Sequence, residues 1–250
     1  MQIYFDNTSL MANPYSVRTI DHDSSSPRQL NTFNLARQRG SVLVNTDYQS
    51  KTIKITGVIF GANLANLERN IDDFKELLSR QGKNLDIDYA GDVRRYIATA
   101  VKIDVPRDSY HITFAPYTVE FLIPSGVGRS TNADSVSVAG ILIDSYVDTL
   151  SIGGTANPKP KLSLSFVSAN TVSKIEFLAN GDKITISENI SADDIVVIDC
   201  ENLQVTINGL VVDYTGIFPA FGVGANVYEI EVTSVSHEYN INFNFYKFYI

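Results

Sequence analysis

The chain has 250 residues and a mass of 27.6 kDa, with 44% apolar and 19% charged residues. This composition is globular, and the length suits one large domain or two ordinary ones. The net charge of -8 argues against a nucleic-acid-binding protein, which usually has a basic excess. A single cysteine, Cys200, excludes an internal disulfide and a multi-cysteine zinc site.

No targeting segment is predicted. The N-terminus lacks a basic region followed by an apolar core, so it does not have the pattern of a signal peptide. Every apolar run is shorter than the roughly 20 residues that a membrane-spanning helix needs. We therefore expect a protein that folds in a cytoplasm and does not insert into a membrane.

Charge is divided unevenly along the chain. Up to Ser130 there are 15 basic and 14 acidic residues, whereas from Thr131 onward there are 5 and 14, and all ten arginines precede Ser130. The break falls among turn formers, which predicts two domains joined by a linker over residues 129–137. Arginine is enriched at protein interfaces, so the first domain is the better candidate for subunit assembly. The simpler alternative is that these arginines are solvated surface.

One segment has the periodicity of an amphipathic helix. Its apolar residues, from Leu64 to Leu78, recur at spacings of three and four and share one face. Asn63 can cap the start and Gly82 can end the helix. The spacing predicts a helix over about 64–81 whose apolar face packs into a core.

Most of the remaining chain alternates as β-strands do. In the first half the strand candidates are residues 51–60, 84–89, 95–105 and 110–123.

The second half is also expected to be β. Asn180-Gly181 and Asn208-Gly209 each separate two alternating runs, which is typical of hairpins with type I′ turns. Strand candidates recur every 8–12 residues or so, which predicts a sandwich or jelly roll. Residues 241–250 are too apolar for a free tail and should form a final strand.

No motif indicates catalysis, a metal or a cofactor. The nucleophile-elbow, P-loop and dinucleotide-binding patterns are absent from the sequence. Asp21-His22-Asp23 is the one local metal candidate, and a solvated loop is the more ordinary explanation. Glu229 and Glu231 could point to the same face of a strand, where such a pair is usually a wet outer surface. We expect a protein that is not an enzyme.

Saccharide binding stays open as a second hypothesis. Aromatic rings can stack on sugar faces, and in a chain without Trp the candidates for saccharide or partner contacts are Tyr214, Phe218 and Phe221. The alternative is that these rings pack in the core or under loops. A monomeric carbohydrate-binding module or lectin-like adhesin is therefore the runner-up function.

An ordered set of segments resembles the distal tail proteins of long-tailed bacteriophages. In the first half, the pattern Arg37-x-Arg39-Gly40 precedes the strand over residues 53–60, the helix and the hairpin. In the second half, the segments are Asp199 to Gly209, Asp213 to Pro219, Gly222-x-Gly224-Ala225-Asn226 and Tyr246-Lys247-Phe248. The resemblance covers essentially the whole chain.

The resemblance implies a mainly β fold. It consists of an N-terminal β-barrel-like domain with one α-helix, residues 1–128, and a C-terminal galectin-like β-sandwich, residues 138–250. The last strand can return to the N-terminal domain. At 250 residues, this chain looks like the minimal form, without the sugar-binding insertions of some relatives.

The resemblance also implies a structural function in the virion. Family members form a homohexamer, a ring at the tail tip that joins the tail tube protein to a tail-tip hub protein of the tail-associated lysin type. The ring supports receptor-binding proteins, DNA only passes through its channel, and assembly takes place in the host bacterial cytoplasm. The expected interface residues, which would pair with carboxylates of the next subunit, are Arg37, Arg39, Arg94 and Arg95.

Overall fold

The computed structural model describes residues 1–21, 27–34, 41–107, 111–170 and 172–250. The chain divides into two compact units, one of Met1–Thr131 with Ile250 and one of Asn132–Tyr249. The described residues form several antiparallel sheets and one α-helix. The predicted fold class, mainly β with a helix in the first half, is confirmed.

The first unit is built from a large antiparallel sheet, a separate hairpin and the helix. Its elements are β1 (Gln2–Phe5), β2 (Thr8–Ser9), β3 (Tyr15–Asp21), β4 (Arg28–Asn34), β5 (Ser41–Tyr48), β6 (Lys51–Phe60), α1 (Leu64–Ser79), β7 (Lys83–Tyr89), β8 (Asp92–Asp104), β9 (Phe114–Ile123) and β10 (Gly128–Ser130). The large sheet has the order β2-β1-β7-β8-β9-β6-β3, and β10 pairs with the first part of β8. The hairpin β4–β5 forms a sheet of its own.

The helix α1 covers the core of this unit. Asn63 caps its start, because the Asn63 side-chain oxygen accepts the Asn66 N–H at 2.9 Å. The predicted apolar stripe is buried apart from Leu64, which is 47% exposed in the first turn. Phe74 is fully buried, and its ring centroid lies 5.0 Å from that of Tyr15 and 4.6 Å from that of Tyr117. The helix ends at Ser79, so the predicted bound of 81 is two residues too long.

The second unit is a β-sandwich. Its strands are β11 (Asp134–Ile141), β12 (Ser145–Ile152), β13 (Lys161–Asn170), β14 (Lys174–Ala179), β15 (Asp182–Ile186), β16 (Ile195–Asp199), β17 (Gln204–Ile207), β18 (Leu210–Val211), β19 (Thr215–Gly216), β20 (Gly224–Thr233), β21 (Ser236–Phe245) and β22 (Phe248–Tyr249). One sheet has the order β11-β21-β13-β16-β17-β18 and the other β12-β20-β14-β15-β19. Their inner faces share one core, in which the rings of Tyr228 and Phe243 meet at 4.8 Å.

Both predicted Asn-Gly hairpins are confirmed. Asn180 and Gly181 have φ of 53° and 94° between β14 and β15, and Asn208 and Gly209 have φ of 51° and 82° between β17 and β18. Type I′ turns require positive φ at both central positions, which is why this dipeptide is favoured there.

Residues 241–250 do not form one continuous strand. Strand β21 stops at Phe245, and the Lys247 ammonium group lies 2.9 Å from the Asp134 carboxylate in β11. After this break, the Phe248 carbonyl accepts the N–H groups of Thr155 and Ala156. The strand expected for residues 241–250 therefore consists of the end of β21 and, after a break, β22.

The segment predicted as a linker, residues 129–137, is largely strand. It contains the end of β10 and the start of β11. Val136 lies opposite Phe243 of β21, and Val138 lies opposite Ile241. The alternating valines form a strand even though the residues before them are turn formers.

Candidate functional site

The predicted interface arginine Arg95 lies in a cross-strand ion pair on β8. It stands opposite Asp86 of β7, and its Nε and Nη2 donate to the two carboxylate oxygens at 2.8 and 2.7 Å. The two side chains are 26% and 13% exposed. Such a bidentate pair fixes the guanidinium plane. Arg95 is therefore already engaged within its own sheet, and its contact with a neighbouring subunit stays a prediction.

Arg94 points to the other face of the same strand. Its guanidinium carbon lies 4.6 Å from the centroid of the Tyr89 ring, within the range of a cation–π contact. Arg129 of β10 stands opposite Arg95 in register, so three arginines lie close together where β8 and β10 pair. The other two predicted residues, Arg37 and Arg39, lie outside the described residues.

The hairpin β4–β5 is the second feature with the character of an interaction element. Its register runs from Arg28 opposite Tyr48 to Asn34 opposite Ser41, and the Gln49 N–H donates to the Pro27 carbonyl at its base. Among the described strands, β4 and β5 pair only with each other. An isolated two-stranded hairpin is at best marginally stable in water, so a surface outside its own sheet is needed to stabilise it.

The three aromatic residues predicted for saccharide or partner contacts have different environments. Phe221 is 2% exposed and packs against Phe177 and Phe243, so it belongs to the core and cannot offer its face to a sugar. Tyr214 is 37% exposed and meets the partly buried Phe218 edge-on at 5.0 Å. The residues around Pro219 give no periodic signal that would have separated the buried ring from the exposed one.

A cavity of about 240 Å³ adjoins this aromatic pair. Its walls are mostly apolar, and Asn157 and Lys159 are the polar residues of the lining. The apolar lining residues are Pro158, Cys200, Leu203, Phe218, Pro219, Ala220 and Phe221. A sugar needs several polar groups that fix its hydroxyls, whereas this lining suits an aliphatic or aromatic side chain. Burial raises the pKa of the Cys200 thiol to about 12, which fits a packing role.

A charged network occupies the outer face of the second sheet. Glu176 accepts from Lys183 at 2.8 Å and from Thr185 at 3.1 Å, and the Lys174 ammonium group lies 3.0 Å from its other carboxylate oxygen. The Lys183 and Lys174 ammonium groups lower the pKa of Glu176 to about 2. Glu231 stands opposite Glu176, while Glu229 accepts from Ser145, so these two residues of β20 serve separate contacts.

The side-chain amide of Asn226 is buried, although the sequence offers this residue only as part of a longer pattern. Its Oδ1 accepts from the Gly222 N–H at 2.8 Å and from Asn180 Nδ2 at 2.9 Å, and its Nδ2 donates to the carbonyls of Gly222 and Gly224. Asn226 thereby fixes the loop that leads into β20. Its presence in the Gly222-x-Gly224-Ala225-Asn226 pattern was the available signal.

Neither a metal centre nor a membrane span emerges from the described residues. Across residues 1–21, 27–34, 41–107, 111–170 and 172–250, no three His, Cys, Asp or Glu side chains come close enough to hold an ion. His22 and Asp23 of the candidate metal cluster lie outside those ranges. The helix that the structure describes is not long and apolar enough to cross a membrane.

Comparison with solved structures supports the fold over the whole chain. The Dit (gp 19.1) protein of phage SPP1 superposes with a TM-score of 0.69 at 14% identity, covering 100% of this chain and 99% of that one. Two structures of the phage p2 baseplate in its activated conformation, with strontium and with calcium, give TM-scores of 0.44 and 0.46 at 12% and 11% identity. They cover 96% and 98% of this chain and 96% and 97% of theirs.

Comparison with protein families identifies both units. The model of the phage tail protein RIFT-related domain matches residues 10–123, and that of the siphovirus-type tail component, C-terminal domain, matches residues 153–245. Among curated protein sequences, none matches the chain significantly. Both matched families are tail components, they follow one another in chain order, and the fold is that of a Dit protein. The chain therefore belongs to the distal tail protein family of siphophages and is a structural component of the phage tail.

Proposed function

We propose that six copies of this chain form a ring through their first units, and that the ring joins the tail tube protein to the tail-tip hub protein. DNA passes through the central channel without being held, and the second units face receptor-binding proteins. The protein acts by geometry and not by catalysis. It is assembled in the host bacterial cytoplasm and then remains in the virion.

The hairpin β4–β5 is the observation that carries this proposal. It continues into the large sheet, since only Gln49 and Ser50 separate it from β6, yet it pairs with no other described strand. A neighbouring copy of the same chain would supply the surface that stabilises it. In a closed ring each copy gives one hairpin and receives one, so the contact repeats without leaving an open end.

Charge supports the same assignment. The residues between β4 and β5 include Arg37 and Arg39, and the first unit also carries 14 acidic residues up to Ser130. Arginines of this connecting sequence can form bidentate pairs with carboxylates of the next copy, and Arg94 can contribute from β8. Repetition around the ring gives avidity that a single interface lacks.

The likeness to the SPP1 protein supports the place of the ring in the particle. That protein is described as a paradigm of the hub adsorption apparatus in phages that infect Gram-positive bacteria. A place in such a hub suits a chain whose two units match families of tail components. The burial of Phe221 removes one of the three rings on which the lectin hypothesis depends.

Native mass spectrometry and negative-stain electron microscopy of the full-length protein test the proposal. The expected species is a ring with a mass near six times 27.6 kDa. A variant that joins Pro27 directly to Gln49, whose backbone groups are already hydrogen-bonded, removes the hairpin at the point where its two strands meet. This variant should fold and remain monomeric, while the surface control Val147→Lys should still form rings. A monomeric unmodified protein, or rings from the hairpin deletion, would contradict the proposal.

A further inference from the structure

On one side, both sheets of the β-sandwich end at the same exposed segment, residues 210–217, here called the edge segment. Its first part, β18, is the last strand of one sheet, and β19, a few residues later, is the last strand of the other. The Val212 N–H donates inward to the Val205 carbonyl. Because successive backbone groups of a strand alternate in direction, the amides of Val211 and Asp213 face the open side.

The edge segment is unusually apolar for an exposed strand. Leu210, Val211 and Ile217 are all largely exposed, and Leu203 and Tyr214 adjoin them. The Tyr214 hydroxyl donates to the Leu203 carbonyl, which holds these two residues together. Natural edge strands are normally blunted by charge, proline or covering elements, and an apolar open edge is typical of a strand that receives another chain.

The cavity beside Phe218 lies at the end of this edge. Leu203 and Phe218 belong to its lining, and the Tyr214 ring packs edge-on against Phe218. Its volume of about 240 Å³ is sufficient for one large apolar side chain. Interfaces are commonly dominated by such an anchor in a pocket, surrounded by weaker contacts.

We infer that the edge segment binds an extended strand of a separate tail protein, which inserts one apolar side chain into this cavity and carries Lys or Arg beside it. This rests on the proposed function, because it names a partner for the second unit of the ring. The added strand would pair with the outward amides of Val211 and Asp213.

Charge decides between this partner and a second copy of the chain. The exposed carboxylates of Glu201 and Asp213 flank the apolar surface, where Lys159 is the one basic residue of the cavity lining, and residues 131–250 carry 14 acidic against 5 basic residues. Two such surfaces would repel each other, whereas a strand with basic flanks would be attracted. The occupant is therefore a different chain with the opposite charge.

The test uses tail tips assembled by co-expressing this chain with the other tail proteins of the phage that encodes it. Val211→Lys and Leu203→Lys place a charge on the edge segment and at the cavity, at positions that are 66% and 59% exposed. The matched control, Val147→Lys, introduces the same charge at a 57% exposed position on the outer face of the other sheet. Composition is measured by quantitative mass spectrometry, and rings are counted by electron microscopy.

The expected result is that rings form in every variant, while one other tail protein falls at least tenfold in both edge variants and not in the control. Hydrogen exchange should show the outward amides of Val211 and Asp213 protected in the assembly and exchanging in the free chain. Cross-linking should place a segment with basic flanks of that other protein against Leu203. An unchanged composition, absent protection, or a cross-link to a second copy would overturn the inference. Loss of rings from the unmodified protein would instead refute the proposed function.

Discussion

Glu176 of β14 and Glu231 of β20 stand opposite each other, so their carboxyl groups affect one another's protonation. The two groups respond in opposite directions. Lys183 and Lys174 lower the pKa of Glu176 to about 2, whereas the hydrogen bond to Glu176 raises the pKa of Glu231 above its ordinary value. Glu176 is therefore the carboxyl group that stays ionised, and Glu231 is the one that takes up a proton more readily.

The first prediction is a pH dependence of stability that depends on Glu176. Since its pKa is lowered on folding, its contribution is present above about pH 4.5 and is lost as pH falls toward 2. The free energy of unfolding of the native protein should therefore fall more steeply over that range than that of Glu176→Gln. Denaturant titrations at a series of pH values measure both slopes.

The matched substitution at Glu231 should act differently at pH 7. Glu176→Gln leaves two lysines without their carboxylate and should cost about 1 kcal/mol, the usual scale for a partly solvated charged pair. Glu231→Gln supplies an N–H donor toward Glu176 and removes a repulsive charge, so it should be neutral or stabilising. Equal destabilisation by both substitutions would show that the carboxyl groups are equivalent.

The second prediction concerns the helix core. Phe74 is fully buried between Tyr15 and Tyr117, so Phe74→Ala should lower the free energy of unfolding by about 3–5 kcal/mol. Leu64→Ala, on the same helix but largely exposed, should cost less than about 1 kcal/mol. Chemical denaturation measures both, and a Phe74→Ala cost under about 1 kcal/mol would mean that the stripe is not core.

The third prediction concerns the loop before β20. Asn226→Ala removes the partner of the partly buried Gly222 N–H and of two carbonyls, so we expect a loss of about 2–4 kcal/mol. Asn202→Ala provides the control, because Asn202 is exposed and the backbone N–H that it contributes to Asp199 remains. Thermal unfolding of the two variants should differ clearly, and similar melting temperatures would contradict the role of Asn226.

The fourth prediction concerns Gly154, which has φ of 107° and lies against the Phe248 carbonyl. A Cβ at this position would lie 2.5 Å from that oxygen, so Gly154→Ala combines backbone strain with a clash. Gly224 has φ of 101° with open space around it, so Gly224→Ala shows the strain alone. Gly154→Ala should be the more destabilising by about 2 kcal/mol, measured by denaturant titration.

A truncation separates the clash at Gly154 from other effects of the substitution. Deleting residues 246–250 removes Phe248, so in that background Gly154→Ala should cost no more than Gly224→Ala. The truncated protein should also melt at a lower temperature than the full chain, because the bonds from Thr155 and Ala156 to Phe248 are lost. An undiminished Gly154→Ala effect in the truncated protein would show that Phe248 is not the group that the new methyl meets.

Local chemistry explains why several elements could be predicted from the sequence. The Asn180-Gly181 and Asn208-Gly209 turns depend on the φ preferences of their own two residues. The helix depends on a periodic stripe and on the Asn63 cap, both of which lie within a short segment. Such features require no knowledge of what packs against them.

Features that depend on register or on tertiary packing could not be predicted in the same way. The pairing of Arg95 with Asp86 follows from the alignment of β7 with β8, and that of Glu176 with Glu231 from the alignment of β14 with β20. The burial of Phe221 depends on the loop folding back over the core. In each case the sequence shows a residue of suitable type but not the neighbour that determines its role.

Cys200 has a consequence for the lifetime of the particle outside the cell. It is the sole thiol of the chain, it is buried, and its pKa is raised to about 12. At pH 8 only about one thiol in ten thousand would then be ionised, and the thiolate is the form that oxidants and disulfides attack. In the proposed ring, the copies would therefore form no covalent cross-links with one another under oxidising conditions.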